Sequence, residues 1–215
     1  MRTRHRLGLA LLLAASPAAI QAQEVCGGYI QAPPVGDWAE YQISEDGEPE
    51  LRLRFALVGS EQRDGREMKW FEMAITPDGE EQPTIMKLLV PDYPFGPDGL
   101  EEIIMKAGDS PAMKMGGPML ATMRKSIDEN PGFSIVEQCK TMQDAGGGSV
   151  TVAAGTFETR HYRNADSGTD VWLSKDVPFG MVRSTDGEYT SELVAHGEGA
   201  ETAITETPQD LFGSR

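Results

Sequence analysis

The chain has 215 residues, with 19 basic against 34 acidic side chains and a formal net charge of −15 at pH 7. Such acidity makes nucleic acid and anionic membrane surfaces poor partners and reads as a solvated surface that keeps the protein soluble. There is no Gly-x-Ser-x-Gly elbow, Walker-type phosphate loop, dinucleotide fingerprint, His-Glu-x-x-His helix or Cys-x-x-Cys pair, so no catalytic residue and no cofactor is assigned and the chain is not expected to be an enzyme.

Residues 1–22 carry the three zones of a secretory signal: Arg2, Arg4 and Arg6, an apolar run over 7–15, then small residues ending at Ile20-Gln21-Ala22. Cleavage is expected before Gln23, which removes three arginines and takes the net charge to −18. The apolar run is shorter than the roughly 20 residues a membrane helix needs, and no other stretch reaches that length, so no membrane span is expected. Gln23-Glu24-Val25 ahead of Cys26 is not the small apolar run of a lipoprotein signal, so no lipid anchor is expected either. The remaining residues suit a single domain over 23–208, followed by a frayed tail over 209–215, in the periplasm or outside the cell. Cys26 and Cys139 are the only cysteines, and in an oxidising compartment an even count favours a bridge between them over a buried thiol pair that never meets.

A Gly/Pro-rich lead-in, Gly27-Gly28 and Pro33-Pro34, gives way to a first strand from Asp37 with Trp38, Tyr41 and Ile43. In the second, Leu51, Leu53, Phe55 and Leu57 alternate with Arg52 and Arg54, the period of two of a sheet buried on one side and wet on the other. Arg63-Asp64-Gly65 turns the chain into strands over 68–75 and 84–90, apolar enough for both faces to be partly covered. Between Pro91 and Pro131 the spacing changes. Leu100, Ile103 and Ile104 form one i, i+3, i+4 stripe and Met119, Leu120, Met123 and Ile127 another, which predicts two short helices joined through Gly108-Asp109-Ser110-Pro111 and Gly116-Gly117, the second starting at Pro118. A strand is expected over 133–140, then the glycine run 146–148, a meander of short strands over 150–184, and a last long strand over 189–196. The count is about nine strands with one helical insertion.

His161 and His196 are read as cross-strand partners, and Arg160, Tyr162 and Arg163 as members of surface ion pairs along one strand. Carboxylates such as Glu40, Glu72 and Glu158 are numerous, but nothing in their spacing pairs them. Methionine is the compositional oddity: Met105, Met113, Met115, Met119 and Met123 fall in the expected helical insertion. Three readings stand: core filling, a movable cover over an apolar cavity, or capture of Cu(I) by thioether sulfurs, for which the Met113-Lys114-Met115 run is the candidate.

The opening Trp38-Ala39-Glu40-Tyr41 strand, the long antiparallel run, the helical insertion and the segments GTFETRHYR, DVWLS and VPFGMVR resemble the bacterial lipoprotein-carrier superfamily, the LolA/LolB-like half-barrels, and secreted domains similar to them. The resemblance covers about 38–200. It implies a mainly β, α+β fold, a curved antiparallel sheet forming an unclosed half-barrel with the helical insertion on its concave side, and an enclosed apolar space that takes acyl chains in the carriers. This chain lacks the amphipathic helix that usually opens the carriers. The expected function is non-enzymatic binding of a lipid or other apolar or amphipathic ligand, with Leu53, Phe55, Ile104, Met119, Leu120 and Met123 at the site and no metal residue assigned. An envelope protein docking on the curved sheet, or copper handling, are the alternatives.

Overall fold

The computed structural model describes residues 26–129 and 135–210. The expected signal over 1–22, its cleavage point, residues 23–25, the Ile127 side chain, Phe133 and residues 211–215 lie outside what is described.

The alternation seen in the sequence becomes a set of long strands. β1 (Trp38–Glu45) and β2 (Glu48–Arg63) are joined by Asp46-Gly47, and β2 and β3 (Arg66–Pro77) by Asp64-Gly65. All four turn residues have positive φ, between 49° and 90°. That is the backbone of the two-residue hairpin whose twist matches the flanking strands. β4 (Thr84–Val90), β5 (Glu102–Ala107) and the short β6 (Met113–Met115) continue the meander on that side. β7 (Gln143–Val152), β8 (Gly155–Arg163), β9 (Asp170–Leu173), β10 (Met181–Thr185) and β11 (Tyr189–Gly197) form a second meander. The two meet where β11 pairs antiparallel with β1, and Gln209–Asp210 add β12 to the free side of β6 in parallel. The result is one curved, unclosed sheet in the order β12-β6-β5-β4-β3-β2-β1-β11-β10-β9-β8-β7.

One face of this sheet carries the main core. Ala39, Tyr41, Leu57, Phe71, Leu88, Val90, Ile103, Val182 and Leu193 are buried together there. Each side chain of the Leu or Phe class removed from water in this way contributes roughly 1.5 to 3 kcal/mol. Helix α1 (Gly117–Glu129) starts at the Gly117-Pro118 step, where the fixed proline φ suits a first turn, and lays Leu120 and Met123 against that core. A 3-10 turn at Pro97–Gly99 underlies it, and the Arg124 guanidinium donates through Nε to the Leu100 carbonyl at 2.7 Å.

Four sequence expectations are corrected here. Leu100, Ile103 and Ile104 are not one helical stripe: Ile103 and Ile104 are successive residues of β5, on opposite faces, and both are buried because both faces are covered. The strand expected over 133–140 is replaced by a helix, α2 (Ile135–Thr141). The glycine run belongs to β7, because pairing with β8 over Gly146, Gly147 and Gly148 overrides weak strand propensity. Gln209 and Asp210, assigned to a frayed tail, are held by their pairing with Met113 and Lys114, so twelve strands rather than nine are present among the described residues.

What covers the second face of β4 and β5 is the segment after β11. Ile204 is buried with Ile85, Ile104 and Ala112. The buried Glu72 carboxylate accepts from the Thr202 hydroxyl at 2.6 Å and the Ala203 N–H at 3.1 Å, and Lys106 pairs with Glu206 at 2.7 Å. At the other wing the expected bridge exists: Cys26 and Cys139 are disulfide-bonded, tying the lead-in to α2. Cys26 packs with Ile30, Tyr162, Val171 and Leu173, and the Tyr162 hydroxyl donates to the Cys26 carbonyl at 3.0 Å.

Candidate functional site: the concave apolar face

Residues directly opposite on neighbouring strands point to the same side of a sheet, so the register fixes which side chains line the face under α1. One row across the sheet is Leu57, Phe71, Leu88, Ile103 and Met115. The adjacent row is Ala39, Phe55, Met73, Met86, Met105 and Met113. The first is mostly buried. The second is only half-buried from Phe55 onward, although Phe55, Met73, Met86 and Met105 all pack on the core.

Aromatic rings close one part of this concavity. Phe71 sits at their centre, with ring centroids 5.4 Å from Phe55, 5.7 Å from Tyr93 and 5.7 Å from Phe179. Pairs at such distances contribute about 0.5 to 1.5 kcal/mol beyond area burial. Phe179 reaches its place through a positive φ of 64°, followed by Gly180 at 83°. Burial raises the pKa of the Tyr41 and Tyr93 phenols well above the usual value, so both stay neutral, and the Tyr41 hydroxyl donates to the Met181 carbonyl at 3.1 Å. The concave side is therefore apolar and uncharged where these rings line it.

Of the six residues expected at the site, the structure brings four together: Leu53, Phe55, Leu120 and Met123 all pack on the concave core. Met119 is half-buried on α1 and is not among the residues packed on that core. Ile104 faces the other way, into the cluster beneath the C-terminal segment, because an odd step along a strand reverses the side chain. Sequence reasoning missed Met73, Met86 and Met181, which the strands bring to the same face as Met105 and Met115. The expected strands over 68–75 and 84–90, paired from Ile75 opposite Thr84, would have set Met73 opposite Met86 and exposed the row.

The polar groups lie elsewhere. His161 stacks on Trp172 with centroids 4.6 Å apart and bonds Asp170 at 2.6 Å, and His196 lies against Phe157 at 5.8 Å. Arg160 pairs with Asp144 and Arg163 with Asp170 at 2.7 Å, as expected of surface ion pairs on β8, while Tyr162 turns to the buried side. Two cavities open at the rim, of about 240 Å³ and about 480 Å³, and share Asp37, Asp176 and Pro178. Burial and the neighbouring Glu198 carboxylate raise the pKa of Asp37 there. Neither cavity is lined by any of the six expected residues. Among the described residues no helix is long and apolar enough to cross a membrane, and no cluster of three His, Cys, Asp or Glu side chains is placed to hold a metal ion.

No protein-family model matches the chain, and no curated protein matches it. Two solved structures are similar. One is a candidate exported protein with a YMCC-like fold from Bacteroides fragilis, 10% identical, covering 79% of this chain and 99% of its own, with a TM-score of 0.39. The other is a candidate lipoprotein from Parabacteroides distasonis, 11% identical, covering 78% of this chain and 98% of its own, with a TM-score of 0.39.

Proposed function

We propose that this is a non-enzymatic protein of the bacterial envelope or its surroundings that holds an apolar or amphipathic ligand, of the acyl-chain class, between the concave face of the sheet and α1. The observation that carries the reading is the half-buried row of Phe55, Met73, Met86 and Met105, apolar side chains that the protein's own core leaves incompletely covered. Flexible thioether chains suit a surface that must adapt to a ligand of variable shape. α1 follows Gly116-Gly117, where Gly117 has a φ of 50°, and it meets the sheet core through Leu120 and Met123 while Arg124 donates to the Leu100 carbonyl. The secretory signal read over 1–22 supports the location.

The test is native mass spectrometry with lipid extraction of protein purified from its own envelope fraction, together with titration of a fluorescent fatty acid. Co-purifying lipid, and competition between that lipid and the probe, are expected. Repeated recovery of an empty protein that ignores the probe would refute the reading.

A further inference from the structure

Three strands place three methionines side by side. Met73 on β3 is opposite Met86 on β4, and Met86 is opposite Met105 on β5. All three pack on the same core and all three are half-buried. Directly opposed residues of an antiparallel pair have Cβ atoms roughly 4.5 to 5.5 Å apart, and each sulfur sits within an unbranched, rotatable chain, two bonds beyond Cβ. The two outer thioethers can therefore lean onto the central one without moving the backbone. The row goes on to Met113, which is opposite Met105.

We propose that Met73, Met86 and Met105 form a thioether site for Cu(I), with Met113 as a neighbouring fourth sulfur. Soft sulfur ligands select Cu(I) over harder cations, and among the described residues no cluster of three His, Cys, Asp or Glu side chains competes for the ion. The sequence pointed instead to Met113 and Met115. The register puts those two on one short strand at the end of the row, where Met115 belongs to the adjacent row beside Ile103. The ion binds as Cu(I) and leaves as Cu(I), so no electron transfer is required. The site shares a face with the proposed apolar ligand, but it does not depend on that ligand.

The experiment titrates the oxidised full-length mature protein with Cu(I), held reduced by ascorbate and buffered by bicinchoninate, and in parallel with Ag(I). Both cysteines of the chain are in the disulfide, so thiols do not contribute. Methionine εCH3 resonances give the site-specific readout. One equivalent is expected to bind while three methyl signals move together. Met73→Leu/Met86→Leu/Met105→Leu removes the sulfurs at nearly constant volume, which cores tolerate well. Loss of an outer-shell partner alone typically weakens a metal site about 10- to 100-fold, so this triple change is expected to weaken Cu(I) by at least that much, whereas Met142→Leu, in the cluster around the disulfide, leaves it unchanged. Binding that survives the triple substitution, or no stoichiometric binding to the wild type, overturns the proposal. Because leucine keeps the face apolar, the same variant should still take the fatty-acid probe, which separates failure of the copper site from failure of the apolar-ligand reading.

Discussion

Removing the disulfide with Cys26→Ser/Cys139→Ser should cost more stability than any single surface change. The bridged residues are 113 apart in sequence, so the covalent link denies the unfolded chain a very large set of conformations. On the chain-entropy account a loop of that length is worth about 4 to 5 kcal/mol. Serine nearly matches cysteine in size, so the packing of this region on Ile30, Tyr162 and Leu173 changes little and the loss reports mainly the link. For a domain of this size each kcal/mol moves Tm by about 2 to 4 °C, which gives an expected fall of about 8 to 20 °C by calorimetry or circular dichroism. Tyr162→Phe separates the local term, since it deletes only the hydroxyl bond to the Cys26 carbonyl, worth about 1 kcal/mol. If the double variant melts within about 3 °C of the wild type, the denatured chain already keeps these two ends together and the entropy argument fails.

Phe71→Ala removes the ring at the centre of the aromatic cluster, only 5% exposed, and should lower the free energy of unfolding by about 3 to 5 kcal/mol in urea titrations. A loss under about 1 kcal/mol would show that the concavity collapses freely around the gap. Gly180→Ala demands a Cβ 2.3 Å from the Tyr29 carbonyl oxygen at a φ of 83°, so destabilisation above about 1 kcal/mol is expected, and an unchanged denaturation midpoint would contradict the described turn. The Arg163 guanidinium, bonded at 2.7 and 2.9 Å, lowers the pKa of the Asp170 carboxyl; burial opposes this, and His161 adds a further, lesser lowering. A depressed folded pKa gives stability that is present above the unfolded value and lost as pH falls through the folded one. The Tm gap between wild type and Asp170→Asn should therefore be widest near neutrality and close below about pH 4; a gap that stays constant from pH 7 to pH 3 would contradict it.

The strands that one wet face and one dry face pattern cleanly were legible in the sequence. β2 announced itself through Leu51, Leu53, Phe55 and Leu57, and the Asp-Gly turn after it carried its own backbone requirement. β5 was not legible. A strand covered on both sides has adjacent apolar residues, and Ile103-Ile104 after Leu100 imitates the turn spacing of a helix. What covers its second side, Ile204, lies about a hundred residues further on and carries no local signal. α2 was misread because its apolar residues are few and its position is fixed by the bond from Cys139 to Cys26. The site was half legible for a related reason. Leu120 and Met123 follow from helical spacing, but the alignment of Met73, Met86 and Met105 depends on hairpin register, which composition does not encode.

The order of strands also dictates how the molecule must be assembled. β2 to β6 and β7 to β11 are each built from successive neighbours, so either wing can zip up soon after it is synthesised. β1 is different. Its second partner is β11, and Trp38 waits for Gly197 before that flank is satisfied. Until the late part of the chain arrives, the nascent protein displays a bare strand border beside Tyr41, a surface on which other unfinished chains can stack. That border is covered only when β11 arrives at the end of the second meander, and the free side of β6 waits longer still, for Gln209 and Asp210.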